Sequence, residues 1–203
     1  MTGIIQSHKS LPALLVIMTC QFVKVLIFTC VLSGCAAFDK QEVSGQPVVM
    51  PIAPPVGPAR RIVQQITALW PGRQEILVCV LELDERHIAM AGLSNEGLSL
   101  FNLTYDGKKL ELDKSPLLPD TMAPEFIITD LQLAYWPIAM LQKILPAQWR
   151  LEAGQNHRHL YYQNQKRVDV NYLSSDAGWP KDVELINYPY NYRLRIKTIS
   201  YTQ

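Results

Sequence analysis

Cysteine, histidine and aspartate are the residues of this 203-residue sequence whose placement suggests chemistry. Cys35 follows an apolar run, residues 25–32, and two small residues, Ser33 and Gly34, after which the chain turns polar. A thiol in that position could belong to a core, to a disulfide or to a membrane attachment point. Cys79 lies inside an apolar stretch, where burial would raise the thiol pKa, so we expect a core residue there.

The remaining candidates do not predict an active site. His157 and His159 would lie on one face of a strand, but the folded part offers only His87 as a further histidine, which favours a structural or surface role. Asp130 lies in an apolar helical stretch, where we expect a carboxylate that is hydrogen-bonded to a backbone donor or to water. The sequence has no nucleophile elbow, phosphate loop, dinucleotide fingerprint or paired-cysteine motif. We therefore predict a non-enzyme, with no catalytic residues, no cofactor and no metal.

The first part of the chain has the order of a bacterial secretion signal, with basic residues, an apolar run and small residues. The run of about eight apolar residues is too short for the ~20 that span a bilayer. The tetrapeptide Leu32-Ser33-Gly34-Cys35 resembles the lipobox of bacterial lipoproteins, in which the cysteine becomes the first mature residue and carries lipid. The resemblance implies a signal peptide over residues 1–34, with a true start at either Met1 or Met18. The alternative is a buried apolar segment that ends in cysteine.

Length and composition indicate how many domains the chain forms and which partners it could bind. Nineteen basic residues balance 18 acidic ones, so no net field draws the chain to nucleic acid, and we expect no nucleic-acid partner. Residues 35–58 contain five prolines, which predicts a lipidated N-terminus followed by a semi-extended tether. Residues 59–203 are about the length of one domain.

Strand-length apolar stretches predict a mainly β domain after a short amphipathic segment, residues 59–69. Asp106-Gly107 predicts a type I′ turn, which would pair Leu103 with Leu110 and Phe101 with Leu112. The further strands that we expect cover residues 74–83, 87–93 and 98–105, a hairpin that turns near Asn164-Gln165, and the C-terminal stretch after Trp179.

One long apolar segment, residues 124–146, predicts helix rather than strand. It is apolar almost all round, so a helix there needs burial on several sides. Pro137 should split it, because proline within a helix loses a hydrogen bond and crowds the preceding turn. We expect a broken helical lid, about residues 123–145, whose apolar side chains line a ligand cavity: Phe126, Ile127, Leu131, Tyr135, Trp136 and Met140.

The segments FNLTYDGKKLELDKSPLLP, PEFIITDLQLAYWPIAMLQKILP, WRLEAG and GWPKDVELINYPYNYRLRIKTIS follow in an order that resembles a bacterial lipoprotein family of unknown function. Genes of that family often lie beside aryl-polyene or fatty-acid-like synthesis genes. More distantly, the order resembles the lipoprotein carriers LolA and LolB. This resemblance implies a curved, incomplete antiparallel β-barrel whose apolar concavity is closed by a helical lid and receives acyl chains. Glu96 takes the turn position where LolB-like proteins expose a leucine, which argues against lipoprotein delivery.

These observations predict a lipoprotein anchored through Cys35 at the periplasmic face of the outer membrane of a Gram-negative cell. Ala36 favours the outer membrane, since aspartate at that position commonly retains lipoproteins in the inner membrane. Its expected partners are an acyl or polyene ligand in the cavity and envelope-synthesis proteins, and its expected role is to aid lipid transport or assembly. The alternative is a non-catalytic scaffold for envelope lipid-synthesis enzymes, and an acyl-transfer or hydrolytic enzyme is the least favoured hypothesis.

Overall fold

The computed structural model describes residues 48–118, 123–176 and 179–203, and these form a mainly β domain with one antiparallel sheet and two helices. The strands lie in the order β5-β4-β3-β2-β1-β10-β9-β8-β7-β6, so the first and last strands meet at the centre and the sheet is not closed into a barrel. The elements are β1 (Arg60–Trp70), β2 (Arg73–Leu83), β3 (Ile88–Ser94), β4 (Ser99–Tyr105), β5 (Leu110–Lys114), α1 (Pro124–Tyr135), α2 (Ile138–Ile144), β6 (Trp149–Ala153), β7 (His157–Tyr162), β8 (Gln165–Asp176), β9 (Trp179–Asn187) and β10 (Tyr192–Thr202).

The central strand β1 occupies the segment that the sequence predicted only as short and amphipathic. It pairs along its length with β2 and β10. Ile62, Gln64 and Ala68 are buried on one face of this strand. The polar side chain of Gln64 interrupts the alternation of apolar residues that would have predicted a strand. β2 shows an uninterrupted alternation, since every second residue from Leu77 to Leu83 is buried and apolar.

The hairpin between β4 and β5 forms as predicted, but its predicted register is wrong. Leu103 pairs with Leu112 rather than with Leu110, because Tyr105 and Leu110 close the ladder around a four-residue loop. The Asp106 carboxylate accepts the backbone N–H groups of Lys108 and Lys109, which stabilises this wider loop. A shift of two residues keeps each side chain on its face, so the predicted apolar face is retained. The turn with two positive φ angles occurs instead at Gln163-Asn164.

The helical segment is split where proline predicts a break. Trp136 has extended backbone angles and Pro137 precedes α2. The carbonyl groups at the end of α1 find partners on the sheet: Arg158 Nη1 donates to the oxygens of Leu133 (2.8 Å) and Trp136 (2.7 Å), and the Tyr172 hydroxyl donates to Ala134. α1 packs against β5 and β9, and α2 packs against β6.

The end of the predicted tether belongs to the folded unit, which begins at Pro47 rather than at residue 59. Met50 and Ala53 are buried. Gln132 of α1 binds both polar groups of Ala53, accepting its N–H (2.8 Å) and donating to its carbonyl oxygen (2.7 Å), and Trp136 Nε1 donates to Pro54. Prolines leave few backbone donors, so these side chains satisfy the segment where a strand partner could not.

The predicted signal peptide, the tetrapeptide of residues 32–35 and Cys35 lie outside the described residues. Within residues 48–118, 123–176 and 179–203, neither helix is long and apolar enough to cross a membrane.

Candidate ligand-binding cavity

A cavity of about 830 Å³ lies between α1 and one face of β1 to β4 and β10. The sheet contributes an apolar wall because alternate residues of each strand face the same side. The strand residues that form this wall include Ile66, Leu77, Met90, Phe101, Leu194 and Ile196. Gly92 on β3 allows the Phe101 ring to lie against the strand, since a Cβ on residue 92 would stand only 2.2 Å from a ring carbon.

Four of the six predicted lid residues line this cavity: Phe126, Ile127, Leu131 and Tyr135. Trp136 and Met140 do not. Trp136 is buried against the Pro54 segment, and Met140 lies half-buried on α2, beyond the break. The end of α1 explains this division. Trp136 follows the last residue of α1 and has extended backbone angles, and α2, which carries Met140, packs against β6.

Asp130 is a buried carboxylate in the cavity wall. Its side chain accepts a hydrogen bond from the Tyr192 hydroxyl, which in turn accepts one from Asn187 Nδ2 (3.1 Å). Burial raises the pKa of Asp130 to about 7, against the opposing effect of the hydrogen bonds from Tyr192 and Asn187. Burial, with the nearby Asp130, also raises the pKa of Tyr192 well above its ordinary value. The sequence predicted a hydrogen-bonded Asp130 but not this partner, which lies on β10.

Gln64 and Tyr135 form a second polar pair in the wall. Gln64 is 1% exposed, and its Nε2 donates to the Tyr135 hydroxyl at 2.7 Å. The Tyr135 ring stacks on Trp179 with centroids 4.7 Å apart, which fixes the ring at the end of α1. Burial raises the Tyr135 pKa, so the hydroxyl stays neutral and can act as a hydrogen-bond donor. Gln64 was not among the predicted cavity residues, although a polar residue at a core position of a strand can indicate a buried hydrogen bond.

The mouth of the cavity combines charged groups with exposed leucines. Leu98 is 58% exposed and Leu117 is 64% exposed, and both line the opening. Arg73 pairs with Glu75 at 2.9 Å beside them. Glu96, predicted as the substitute for an exposed leucine, is indeed exposed in the β3–β4 turn, but Leu98 stands two residues further on. The interior is therefore mostly apolar, with buried polar pairs at Asp130 and Gln64, and the opening combines charged and apolar groups.

The other chemical candidates lie away from the cavity lining. His157 and His159 stack with ring centroids 4.4 Å apart, and His159 Nδ1 lies 2.5 Å from Asp169 Oδ1. Burial raises the pKa of Asp169, but hydrogen bonds from Tyr188, Lys166 and His159 outweigh it, and the net shift is downward. No group of three or more potential metal ligands occurs among the residues that the structure describes. Cys79 is buried, and burial raises its pKa to about 12, so its thiol is a poor nucleophile.

Comparison with known proteins gives a family for this domain. A family model described as a protein of unknown function (DUF3261) matches residues 61–200. The chain belongs to DUF3261. The matched range spans almost all of the sheet and both helices, so the cavity lies within the part of the chain that defines DUF3261 membership. No curated protein matches the chain.

Proposed function

We propose that this DUF3261 protein binds the hydrocarbon chain of an acyl or polyene lipid in its cavity and aids the transport or assembly of that lipid at the envelope. In this proposal, lipid on Cys35 anchors the protein at the periplasmic face of the outer membrane. The proposal is carried by one observation, the apolar cavity of about 830 Å³ between α1 and the sheet. Sites for small ligands commonly have about 300–1,000 Å³, mostly apolar walls and a few polar groups.

Energetics support a chain-like ligand. Each buried methylene contributes about 0.8 kcal/mol, so a ten-carbon chain contributes about 8 kcal/mol. This exceeds the lower estimates of the cost of association, about 4 kcal/mol. A scaffold, in contrast, would have no need for an empty apolar interior, since unfilled space in a core costs stability.

We also propose that the domain resembles LolA and LolB, in which a helical lid covers the apolar face of an incomplete barrel. α1 would be the lid, because Ile127 and Leu131 line the cavity from the helix side. The break between α1 and α2 would be the hinge, since proline interrupts the hydrogen bonds that stiffen a helix.

The cavity can be tested with diphenylhexatriene, a neutral rod-shaped polyene that fluoresces in apolar surroundings. The full chain should be purified in a steroid detergent, because a single-chain detergent would compete for the cavity. We expect saturable binding by the wild type and a loss of at least about tenfold in affinity for Ile127→Glu, because a carboxylate in the apolar wall must be desolvated. Ile138→Glu is the matched control, since Ile138 is a half-buried helical isoleucine outside the cavity lining.

Equal loss in both variants would assign the effect to general destabilisation rather than to the cavity, and circular dichroism checks that both remain folded. If the folded wild type binds no probe, the acyl-binding proposal fails and the scaffold hypothesis becomes the better one.

A further inference from the structure

Among the described lining residues the cavity has one buried carboxylate, and its position suggests what the polar end of a ligand must be. Asp130 is 7% exposed and lies on α1 between Ile127 and Leu131, which line the apolar part of the cavity. A carboxylate in such a wall is costly, because burial in apolar surroundings removes its hydration. A group that only held the fold together could be replaced by an apolar residue at lower cost.

The hydrogen bonds around Asp130 leave it able to accept more. Tyr192 donates to Oδ2, and the Asn187 side chain also forms a hydrogen bond with the carboxylate. A carboxylate has about four lone-pair sites over its two oxygens, so acceptor capacity remains. The Tyr192 hydroxyl is itself occupied, since it donates to Asp130 and accepts from Asn187.

A second lining residue carries a buried polar group. The Tyr190 hydroxyl is buried without a hydrogen-bond partner in the described part of the chain. Tyr190 lines the cavity with Asp130, and its ring lies against Phe126 with centroids 4.3 Å apart. A buried hydroxyl without a partner costs free energy unless a ligand or water pairs with it.

The lining also lacks the charge that an anionic head group would need. Among the described lining residues the one cation is Arg73, whose side chain is 45% exposed and paired with Glu75 at the mouth. The carboxylates of the described lining are those of Glu75, Glu96 and Asp130. Carboxylate and phosphate heads are usually held by arginine, lysine or clustered backbone N–H groups.

We propose that Asp130, held by Tyr192 and joined by the Tyr190 hydroxyl, forms the head-group subsite of the cavity. This subsite selects single-chain amphiphiles whose head group donates hydrogen bonds, such as an alkylammonium or a hydroxyl. Amphiphiles with an anionic head group bind less well. The inference rests on the proposed function, because it names the class of ligand for the same cavity. A hydroxyl head donates to Asp130 and accepts from Tyr190, and an ammonium head adds charge attraction.

The test is displacement of bound diphenylhexatriene from the full chain in steroid detergent by decylamine, decanol and decanoate, which share one chain length. At about pH 8 the amine is protonated and the acid is ionised. Probe signal from the same detergent without protein is subtracted as micelle background. We expect decylamine and decanol each to displace the probe at concentrations at least about tenfold below that of decanoate, as a hydrogen bond to a charged group implies.

Asp130→Asn should bring the three competitors to within about threefold of one another while the probe itself still binds, since the isosteric amide keeps the cavity shape but loses the charge. Asp169→Asn is the matched control, a buried aspartate outside the cavity lining, and it should keep the wild-type order.

Wild-type protein that takes decanoate as readily as decylamine overturns the head-group inference and leaves chain binding intact. The head-group inference also fails if Asp130→Asn keeps the full preference. A wild type that binds no probe overturns the proposed function itself, so the two failures are distinct.

Discussion

Asp130 makes the stability of the domain depend on pH in a direction opposite to that of most aspartates. Burial raises its pKa in the folded protein from 3.8 to about 7. Between about pH 4 and 7 the folded state therefore holds a proton that the unfolded state has released, and stability falls as pH rises through that window. Asp130→Asn removes this penalty. We expect the variant to be more stable than the wild type at about pH 8, by up to about 4 kcal/mol, with little difference near pH 4.

Urea unfolding of the unit that begins at Pro47, at about pH 4 and 8, measures the effect. Asp169→Asn provides a contrast of opposite sign, because the hydrogen bonds around Asp169 lower its pKa below the ordinary value. Its carboxylate stabilises the fold at neutral pH, so this variant should lose stability there and lose less in acid. Identical pH profiles for Asp130→Asn and the wild type would contradict the assignment of a raised pKa to Asp130.

The sequence could predict the apolar part of the site better than the polar part. The composition of α1 predicted Phe126, Ile127, Leu131 and Tyr135 at the cavity, because an all-apolar helix must bury several sides. The partner of Asp130 could not be predicted, since Tyr192 is 62 positions further along the chain and reaches it only through the pairing of the sheet. Alternation alone makes Tyr192 one more apolar residue of its strand and gives no sign of its hydrogen bond.

At the scale of elements, the end of α1 depends on a side chain from β7. Arg158 Nη1 donates to the carbonyl oxygens of Leu133 and Trp136, which have no partners within the helix because Pro137 follows. Arg158→Met keeps much of the length of the side chain and removes both hydrogen bonds. We expect the free energy of unfolding to fall by about 2 kcal/mol, the usual order for hydrogen bonds from a charged donor to partly buried acceptors.

Urea unfolding measures this loss, and Arg195→Met is the matched control. Arg195 is an exposed arginine on β10 that lies 3.6 Å from Glu184, and exposed ion pairs contribute about 0–1 kcal/mol. Equal losses in the two variants would mean that Arg158 does not hold the end of α1 in particular.

The positions of most strands and of the helices could be predicted better than the register in which the strands pair. Alternation predicted β2 to β4, and proline predicted the break after α1. The register of the β4–β5 hairpin was wrong because Asp106 stabilises a wider loop through its carboxylate. β1 was missed as a strand because Gln64 occupies a core position that its hydrogen bonds to Tyr135 and Thr198 explain.

For the whole domain, the topology determines how the helices are connected to the sheet. β1 and β10 join the two halves of the sheet at its centre, and the chain crosses from edge strand β5 to edge strand β6 through α1 and α2. No sequence pattern indicates that the first and last strands of the domain pair, because that contact spans almost the whole domain. The two helices therefore lie within the connection between the two edges of the sheet.

If lipid on Cys35 anchors the protein as proposed, the number of residues between Cys35 and the folded unit limits how far the domain can stand from a membrane. The unit begins at Pro47, so about a dozen residues separate it from Cys35, which span at most about 40 Å when fully extended. A lipid on Cys35 would thus keep the cavity close to the membrane surface.

Removal of the Cys35 thiol tests this anchor. We expect Cys35→Ala to release the protein from the outer-membrane fraction or to leave it uncut, because no thiol remains to carry lipid. Membrane fractionation and the intact mass of the protein measure this outcome. Cys30→Ala is the matched control, since Cys30 lies in the predicted signal peptide and should leave both fractionation and mass of the mature protein as in the wild type. A Cys35→Ala protein with wild-type fractionation and lipid mass would remove the anchor from the proposal, while the cavity and its ligand would still be tested by the probe.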